Sequence, residues 1–455
     1  MKEEFNVMLQ SAVQKFRLVN NPIKIITHND ADGISSAIIL SEALRREGIL
    51  FSLSCIKDLN EKTAEEFANE SYKTIFLADL GSGHLSLLQK YCNEKNVFIF
   101  DHHIPEETEH NHVHINPLLA GYEGREINAA GVCYFFAKTM SEENKDLSYL
   151  ALIGAEGDHQ LQNPSTLHNE ILNDALSTET ISEPTRELFS SFDVQVDKLL
   201  VTSTNPFIPR VTGNVVGAIE FLKECEVPKE GSLWPKYQDL TEQHKRTIIE
   251  NICLRRALDE NQEDLVKVTY LATKERRTLK ELAEIFESCG RDNNAPRALG
   301  LYLQNKEDEK QALKCFQEYK RKMIQAIQWY LQNKNAHLKT ESLFLVNAHE
   351  HLPAEMVRVI ANMLEKADTF EQERFIVVMA KENSEQTKVS IRFTGDISET
   401  NICLQKIITQ LTSFVDGKAG GHKNRAGGYI ATAREQEFVE HAKEILAKLA
   451  LEETV

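Results

Sequence analysis

The sequence predicts an α/β protein with a parallel sheet at its N-terminal end, a helical segment in the middle, and a smaller mixed α/β region at its C-terminal end. Three observations carry that expectation. Over the first ~120 residues, short apolar runs alternate with helical stretches at the spacing of β-α-β units. From roughly 190 to 340, apolar residues recur on a helical period and strand-like runs thin out. Strand-like runs return in the last ~115 residues. The expected domains are 1–190, 191–335 and 336–455.

In chain order, the expected strands are "KIITH" (24–28), "FSLSCI" (51–56), "TIFLAD" (74–79), "NVFIFD" (96–101) and "HVHIN" (112–116). Runs so short and so apolar suit a parallel sheet covered on both faces. "SSAIILSEALRREG" reads as a helix with Gly48 as its C-terminal stop, and 128–140 and 147–158 read as buried helices. In the middle segment, Leu313, Phe316, Tyr319, Met323, Ile327, Tyr330 and Leu331 form one helical stripe, read as core packing. The basic stretches 245–256 and 274–280 read first as solvated helix faces. "SLFLVNA", "RFIVVMA" and "KVSIRF" are the C-terminal strands, with helices at about 353–366, 401–414 and 434–449. A glycine-rich stretch, "DGKAGGHKNRAGGYI", lies between the last two helices.

Composition narrows the function classes. Hydrophobic content of 42% and charged content of 27% are ordinary for a globular protein. No apolar run reaches the ~18–20 residues of a membrane span, and the acidic N-terminus lacks the apolar core of a secretory signal. A cytoplasmic protein without a membrane partner is the expectation. The eight cysteines stand singly with no C-x-x-C pair, which argues against a zinc site or a disulfide framework. A net charge of −17 excludes coating nucleic acid through the global field. It still permits an enzyme that holds phosphates through bound cations and a local basic groove.

The chemistry concentrates at strand ends. In "ITHNDADGIS" (26–35), His28, Asp30 and Asp32 stand at alternate positions, so in an extended segment all three project to one side. Gly33 then permits the turn into a helix. A helix N-cap explains one aspartate but not the trio. Asp79 ends "TIFLAD", Asp101, His102 and His103 end the next strand as "DHH", and Asp158 ends a buried helix. So many carboxylates in one unit repel one another unless cations are present. Bound divalent metal resolves the conflict. By contrast, His110, His112 and His114 alternate without a carboxylate set around them and are read as strand or loop histidines.

"HNDADG", the Asp79 "AD", "DHH" and Asp158 resemble, in order and spacing, the four motifs of the DHH phosphoesterase superfamily. "AGGHKNRAGG" (419–428) resembles the glycine-rich signature of the DHH-associated C-terminal domain, and the helical segment looks like the insertion of archaeal RecJ homologues, including the GINS-associated nuclease. The resemblance implies a parallel-sheet DHH domain, a helical insertion and a DHH-associated domain, with the active site in the cleft between domains. It implies one metal held by His28, Asp30 and Asp79, and a second held by Asp32, Asp79, His102 and Asp158. His103 would contact the scissile phosphate and Asp101 would orient the neighbouring imidazole. Mixed carboxylate and imidazole ligands suit Mn²⁺ better than Mg²⁺. Gly420, Gly421, His422, Arg425 and Arg392 would meet the substrate backbone.

The expected function is therefore two-metal hydrolysis of phosphodiesters in single-stranded DNA or RNA, in replication or repair. A small-nucleotide phosphodiesterase is one alternative. The other is a replication scaffold binding GINS, as in the eukaryotic relative that has lost its ligands. Expected protein partners are a GINS-type replication protein or a repair helicase.

Overall fold

The structure, a computed structural model, describes residues 1–19, 22–256, 265–292, 294–366, 374–395, 397, 400 and 402–453. Residue 401, the first of one expected helix, lies outside them. The described chain divides into two compact units, 1–191 with 266–317, and 192–265 with 318–455. Segment 191–335 thus contributes to both, and the division falls inside the helix Lys306–Asn333.

Unit 1 is built on five parallel strands: β1 (Ile23–His28), β2 (Phe51–Ile56), β3 (Thr74–Ala78), β4 (Asn96–Phe100) and β5 (Val113–Ile115), in spatial order β2-β1-β3-β4-β5. All five coincide with expected strands to within a residue or two. Alternate side chains feed two cores. Phe76, Ala78, Phe98 and Phe100 pack with α1 (Glu3–Phe16), α2 (Ala31–Arg46), α5 (Ala129–Met140) and α6 (Ser148–Gly157). Ile75, Leu77, Val97 and Ile99 pack with α3 (Glu61–Asn69) and α4 (Leu85–Cys92). Burial on both faces explains why the strands read as continuous apolar runs. Two short antiparallel ladders complete the unit's strands: β6 (Thr185–Glu187) with β7 (Lys267–Thr269), and β8 (Leu271–Ala272) with β9 (Arg277–Thr278).

One local expectation changes. Asp30 is extended, but its side chain accepts from the Gly33 N–H and caps α2, which begins at Ala31. Asp32 therefore sits in the first helical turn, and the alternating extended geometry stops at Asp30. The N-cap bond is available as soon as the chain turns, so the helix starts two residues before Gly33. Gly33 itself is required: a Cβ there would lie 2.4 Å from the His28 carbonyl oxygen.

Unit 2 holds a mixed sheet of β10 (Leu338–Lys339), β11 (Leu343–Asn347), β12 (Phe375–Lys381), β13 (Gln386–Phe393), β14 (Lys418–His422) and β15 (Arg425–Ala431), in order β10-β11-β12-β13-β15-β14. Only β11 and β12 run parallel. The glycine-rich stretch forms the β14–β15 hairpin rather than an irregular turn. One face packs on the helices Leu404–Ser413 and Glu435–Glu453 through Val377, Val389, Ile391 and Ile430. On the other face, Ile376, Val378 and Ala380 of β12 pack with the helix Val357–Lys366 and with Met323, Ile327 and Tyr330. The helical stripe is core packing, as expected, although Phe316 serves unit 1. Of the basic stretches, 245–256 lies on the helix Glu242–Arg256 with ion pairs such as Arg255–Glu224, as a solvated helix face does. In contrast, 274–280 is no helix face: it runs through a turn, β9 and the first residues of a helix, and its Arg277–Glu281 pair is largely buried.

Candidate metal centre

The C-terminal ends of parallel strands face the ligand side of an α/β sheet, and three such ends in unit 1 converge. His28 closes β1, Asp79 follows β3, and Asp101, His102 and His103 follow β4. The Asp79 N–H donates to the Phe100 carbonyl at 2.9 Å, which prolongs the ladder by one residue. Its backbone then turns into the left-handed region, with φ 60°. That conformation is costly for a non-glycine residue and recurs where a side chain must be aimed.

Asp79 is aimed at two groups. Its Oδ2 lies 3.3 Å from His28 Nδ1, which also lies 2.8 Å from Asp30 Oδ2. Its Oδ1 lies 3.6 Å from His102 Nε2, which stands 3.3 Å from Asp158 and 3.8 Å from Asp32. His28, Asp30 and Asp79 bring three ligand atoms within 4.8 Å of one another, and so do Asp32, Asp79 and His102. Each set could hold a metal ion, and Asp79 belongs to both. Carboxylate oxygens and imidazole nitrogens are the donors expected of a site for Mn²⁺ or a similar cation.

Buried neighbours fix these side chains. The Asp32 carboxylate accepts from Asn128 Nδ2 (2.6 Å) and from the N–H groups of Ala129 (2.8 Å) and Ala130 (2.9 Å), at the N-terminus of α5. Helix α6 passes so close that a Cβ on Gly154 would lie 2.5 Å from Asp32 Oδ1, and Asp158 caps the end of that helix. Asp101 accepts from the N–H groups of His102, His103 and Ser82 and from His103 Nδ1 at 2.7 Å. Asn116 donates to Ser82 Oγ at 2.9 Å and to the His103 carbonyl at 2.8 Å. Glu287 accepts from the N–H of Ala31, the first residue of α2 and the neighbour of Asp30, at 3.1 Å. Asn128, Ser82, Asn116, Gly154 and Glu287 escaped the sequence reading. Asn128, Ser82 and Asn116 stand at element boundaries, a signal shared with many turns, while Gly154 and Glu287 lie inside helices, where nothing local marks them.

The electrostatics are those of an acid cluster in search of positive charge. Burial raises the Asp158 carboxyl to about 6, with repulsion from Asp79 and Asp30 added and His102 offsetting part. Burial and the carboxylates of Asp79 and Asp158 hold Asp32 well above the usual range. Burial opposes charge on His28 and His102, yet the facing carboxylates outweigh it and raise both imidazoles well above their ordinary value. Burial likewise works against ionised Asp30 and Asp101, but His28 and His103 respectively reverse the balance and leave both low. The cluster balances its carboxylates with protons, a role a divalent cation fills with greater charge.

The remaining expected residues stand on other elements. His110 and His112 stack at 5.7 Å, and His114 Nε2 meets Ser82 Oγ at 2.8 Å. Among the described residues, these three histidines do not converge as a metal group. In unit 2, Gly420, Gly421 and His422 lie on β14, and Arg425 on β15 pairs with Glu365 at 3.3 Å. Arg392 on β13 is buried, donating to Asn362 Oδ1 (2.8 Å), Ser390 Oγ (3.0 Å) and the Ile391 carbonyl (2.6 Å). Burial and the nearby Arg425 lower its guanidinium to about 9.

Comparison with known proteins agrees with this architecture. The DHH family N-terminal domain matches residues 22–155, the DHH-CID domain 188–268 and the DHHA1 domain 341–448. The chain thus carries three domains of the DHH type. They follow one another along the chain in the order DHH, DHH-CID and DHHA1. An uncharacterized protein of Methanocaldococcus jannaschii is 28% identical over 434 residues, covering 94% of this chain and 93% of that protein. RecJ from Thermus thermophilus in complex with Mn²⁺ superposes with a TM-score of 0.59 at 16% identity. That match covers 98% of this chain and 54% of the Thermus protein, so the chain spans about half of its length. CDC45 from Entamoeba histolytica superposes with a TM-score of 0.61 at 11% identity, over 96% of this chain and 97% of that one. These structural likenesses are likenesses of fold.

Proposed function

We propose that the protein is a metal-dependent exonuclease that hydrolyses phosphodiester bonds of single-stranded nucleic acid. The observation that carries this reading is Asp79, whose two oxygens serve two separate ligand sets. His28, Asp30 and Asp79 would hold one cation, and Asp32, Asp79, His102 and Asp158 the other. A pair of such cations lowers the pKa of a bound water and stabilises the attacking and leaving oxygens of a phosphodiester. Mn²⁺ suits the mixed donors best, with Mg²⁺ as substitute; the manganese-bound RecJ structures of like fold support this choice.

The chain's own side chains supply the rest. Asp101 anchors His103 through Nδ1, which leaves Nε2 to meet a phosphoryl oxygen and donate a proton there. No nucleophilic side chain is invoked, so water attacks and no covalent intermediate accumulates. Arg425, His422 and the glycines of β14 would hold the substrate backbone.

The test is degradation of end-labelled single strands with Mn²⁺, beside D79A. Wild type should shorten the strand progressively from one end and D79A should not; equal degradation by both overturns the assignment. A length series sharpens the substrate: cleavage confined to dinucleotides would favour a small-nucleotide phosphodiesterase. The partner proposed is a GINS-type replication protein or a repair helicase, tested by pull-down with and without residues 200–300.

A further inference from the structure

We propose that one face of β15 and β14, with the neighbouring Lys388 of β13, carries a second anchoring site for the phosphodiester backbone, in which Lys388 and Lys418 flank Tyr429. The proposal rests on the nucleic-acid reading above and adds residues that reading does not use.

The strand register makes the site. Lys388 stands opposite Tyr429, and Tyr429 opposite Lys418, so the three side chains form one row across three strands. The Lys388 ammonium lies over the Tyr429 ring, 3.9 Å from its centroid, an arrangement that holds the cation at the surface. The next row on the same face is Ser390, Gly427 and Gly420, which raises nothing larger than a hydroxyl above the backbone. A Cβ built on Gly420 would meet no atom within 4 Å. Beyond it stand Arg425 and His422, paired across the hairpin. Two cationic rows thus border a strip floored by backbone, about four residues, or ~14 Å, apart along the strands.

Three features point to a phosphate chain as the occupant. First, the opposite side chains of these strands, Val389 and Ile430, are buried against the helix Leu404–Ser413, so the row lies on the face turned away from that helix. Second, the helix Val357–Lys366 covers this face over β12 and reaches β13, where Ser390 and Arg392 are buried and Arg392 bonds Asn362, whereas Lys418 and Gly420 on β14 are exposed. Third, none of the three rows contains an acidic side chain, in a chain of net charge −17. A polyanion with regularly spaced charges and bulky linkers between them matches the cation–gap–cation pattern.

The experiment measures binding of a fluorescein-labelled 15-nucleotide single strand to the full chain in EDTA, by anisotropy over a series of salt concentrations. Each phosphate neutralised on a single strand contributes a slope of about −0.7 in log K against log salt. K388Q/K418Q should flatten the slope by about 1.4 and weaken binding roughly 25-fold at 0.1 M salt, the factor that slope implies relative to 1 M. K62Q/K310Q, which removes two exposed lysines of unit 1, should keep the wild-type slope. A double variant with wild-type slope, or a control that loses as much, overturns the site. The two readings fail separately. Wild type that binds but does not cleave with Mn²⁺ defeats only the hydrolase, whereas wild type that cleaves while K388Q/K418Q binds normally defeats only this row.

Discussion

The two sheets solve opposite electrostatic problems. In unit 1, strand ends crowd Asp32, Asp79, Asp101 and His102 into a buried cluster where the carboxylates outnumber their compensating charges. In unit 2, strand register spreads Lys388, Lys418 and Arg425 over a face whose strands retain glycine. The first arrangement is strained and calls for a small, doubly charged ion. The second is dispersed and suits an extended anion. Removing an acid should therefore be ruinous in one unit and harmless or favourable in the other.

The largest effect is expected at Asp79. D79N keeps the shape and removes the charge shared by the two ligand sets, so both should weaken together. Loss of several kcal/mol of transition-state stabilisation corresponds to roughly a thousandfold or more in rate. Calorimetric titration of Mn²⁺ should show two binding events reduced at once. Loss of only one event would break the picture of a shared carboxylate.

G154A comes next. Its Cβ would lie 2.5 Å from Asp32 Oδ1 and 2.6 Å from Asn128 Nδ2, so α6 must shift or Asp32 must leave its donors. Overpacking of this kind costs about 1–3 kcal/mol, visible as a lowered melting temperature. N128A should be milder for stability and weaken Mn²⁺ binding by about 10–100-fold, the usual cost of losing a ligand's supporting partner. A variant that melts early but binds Mn²⁺ normally would mean that Asp32 is held for packing alone.

The cluster also predicts a pH response. Asp158, His28 and His102 all hold protons more tightly in the folded chain than in the unfolded one. Where the folded state binds more protons, stability falls as pH rises. His112, His114 and His168, each lowered to about 4 by burial, pull the opposite way in the same window. The contribution of Asp158 is therefore read without metal as the melting-temperature difference between wild type and D158N, which should fall between about pH 4 and pH 6. Saturating Mn²⁺ should reverse the trend, because the cation competes with those protons and binds better as they leave. A difference between wild type and D158N that grows through this window would contradict the charge balance argued for the site.

The contrast also separates what was legible in the sequence from what was not. Unit 1 was readable because a parallel sheet places its working residues at the ends of apolar runs, where His28, Asp79 and the "DHH" triplet stand out. The residues that hold them were hidden: Asn128 lies 96 positions from the Asp32 it supports. The early start of α2 turned on a local hydrogen bond that alternation could not foresee. In unit 2 the glycines were visible as a motif, but the row Lys388–Tyr429–Lys418 joins three strands from separate stretches of sequence. Period-2 alternation says which residues share a face within one strand; it says nothing of register between strands.

The smallest effect sharpens the contrast most. Glu365 accepts from Arg425 at 3.3 Å, both side chains being about one-fifth exposed. Such a pair contributes only ~0.2–1 kcal/mol, so E365Q should fold normally. It also releases a guanidinium at the edge of the glycine strip, where an incoming phosphate would otherwise compete with the carboxylate. Binding of a labelled single strand should tighten by about 1.5–5-fold, the same energy expressed as affinity, with a slightly steeper salt dependence. Unchanged or weaker binding would mean that Arg425 belongs to the internal packing of unit 2, as Arg392 does. Tighter binding would leave the two units with opposite responses to losing one carboxylate, which no uniform account of an acidic protein predicts.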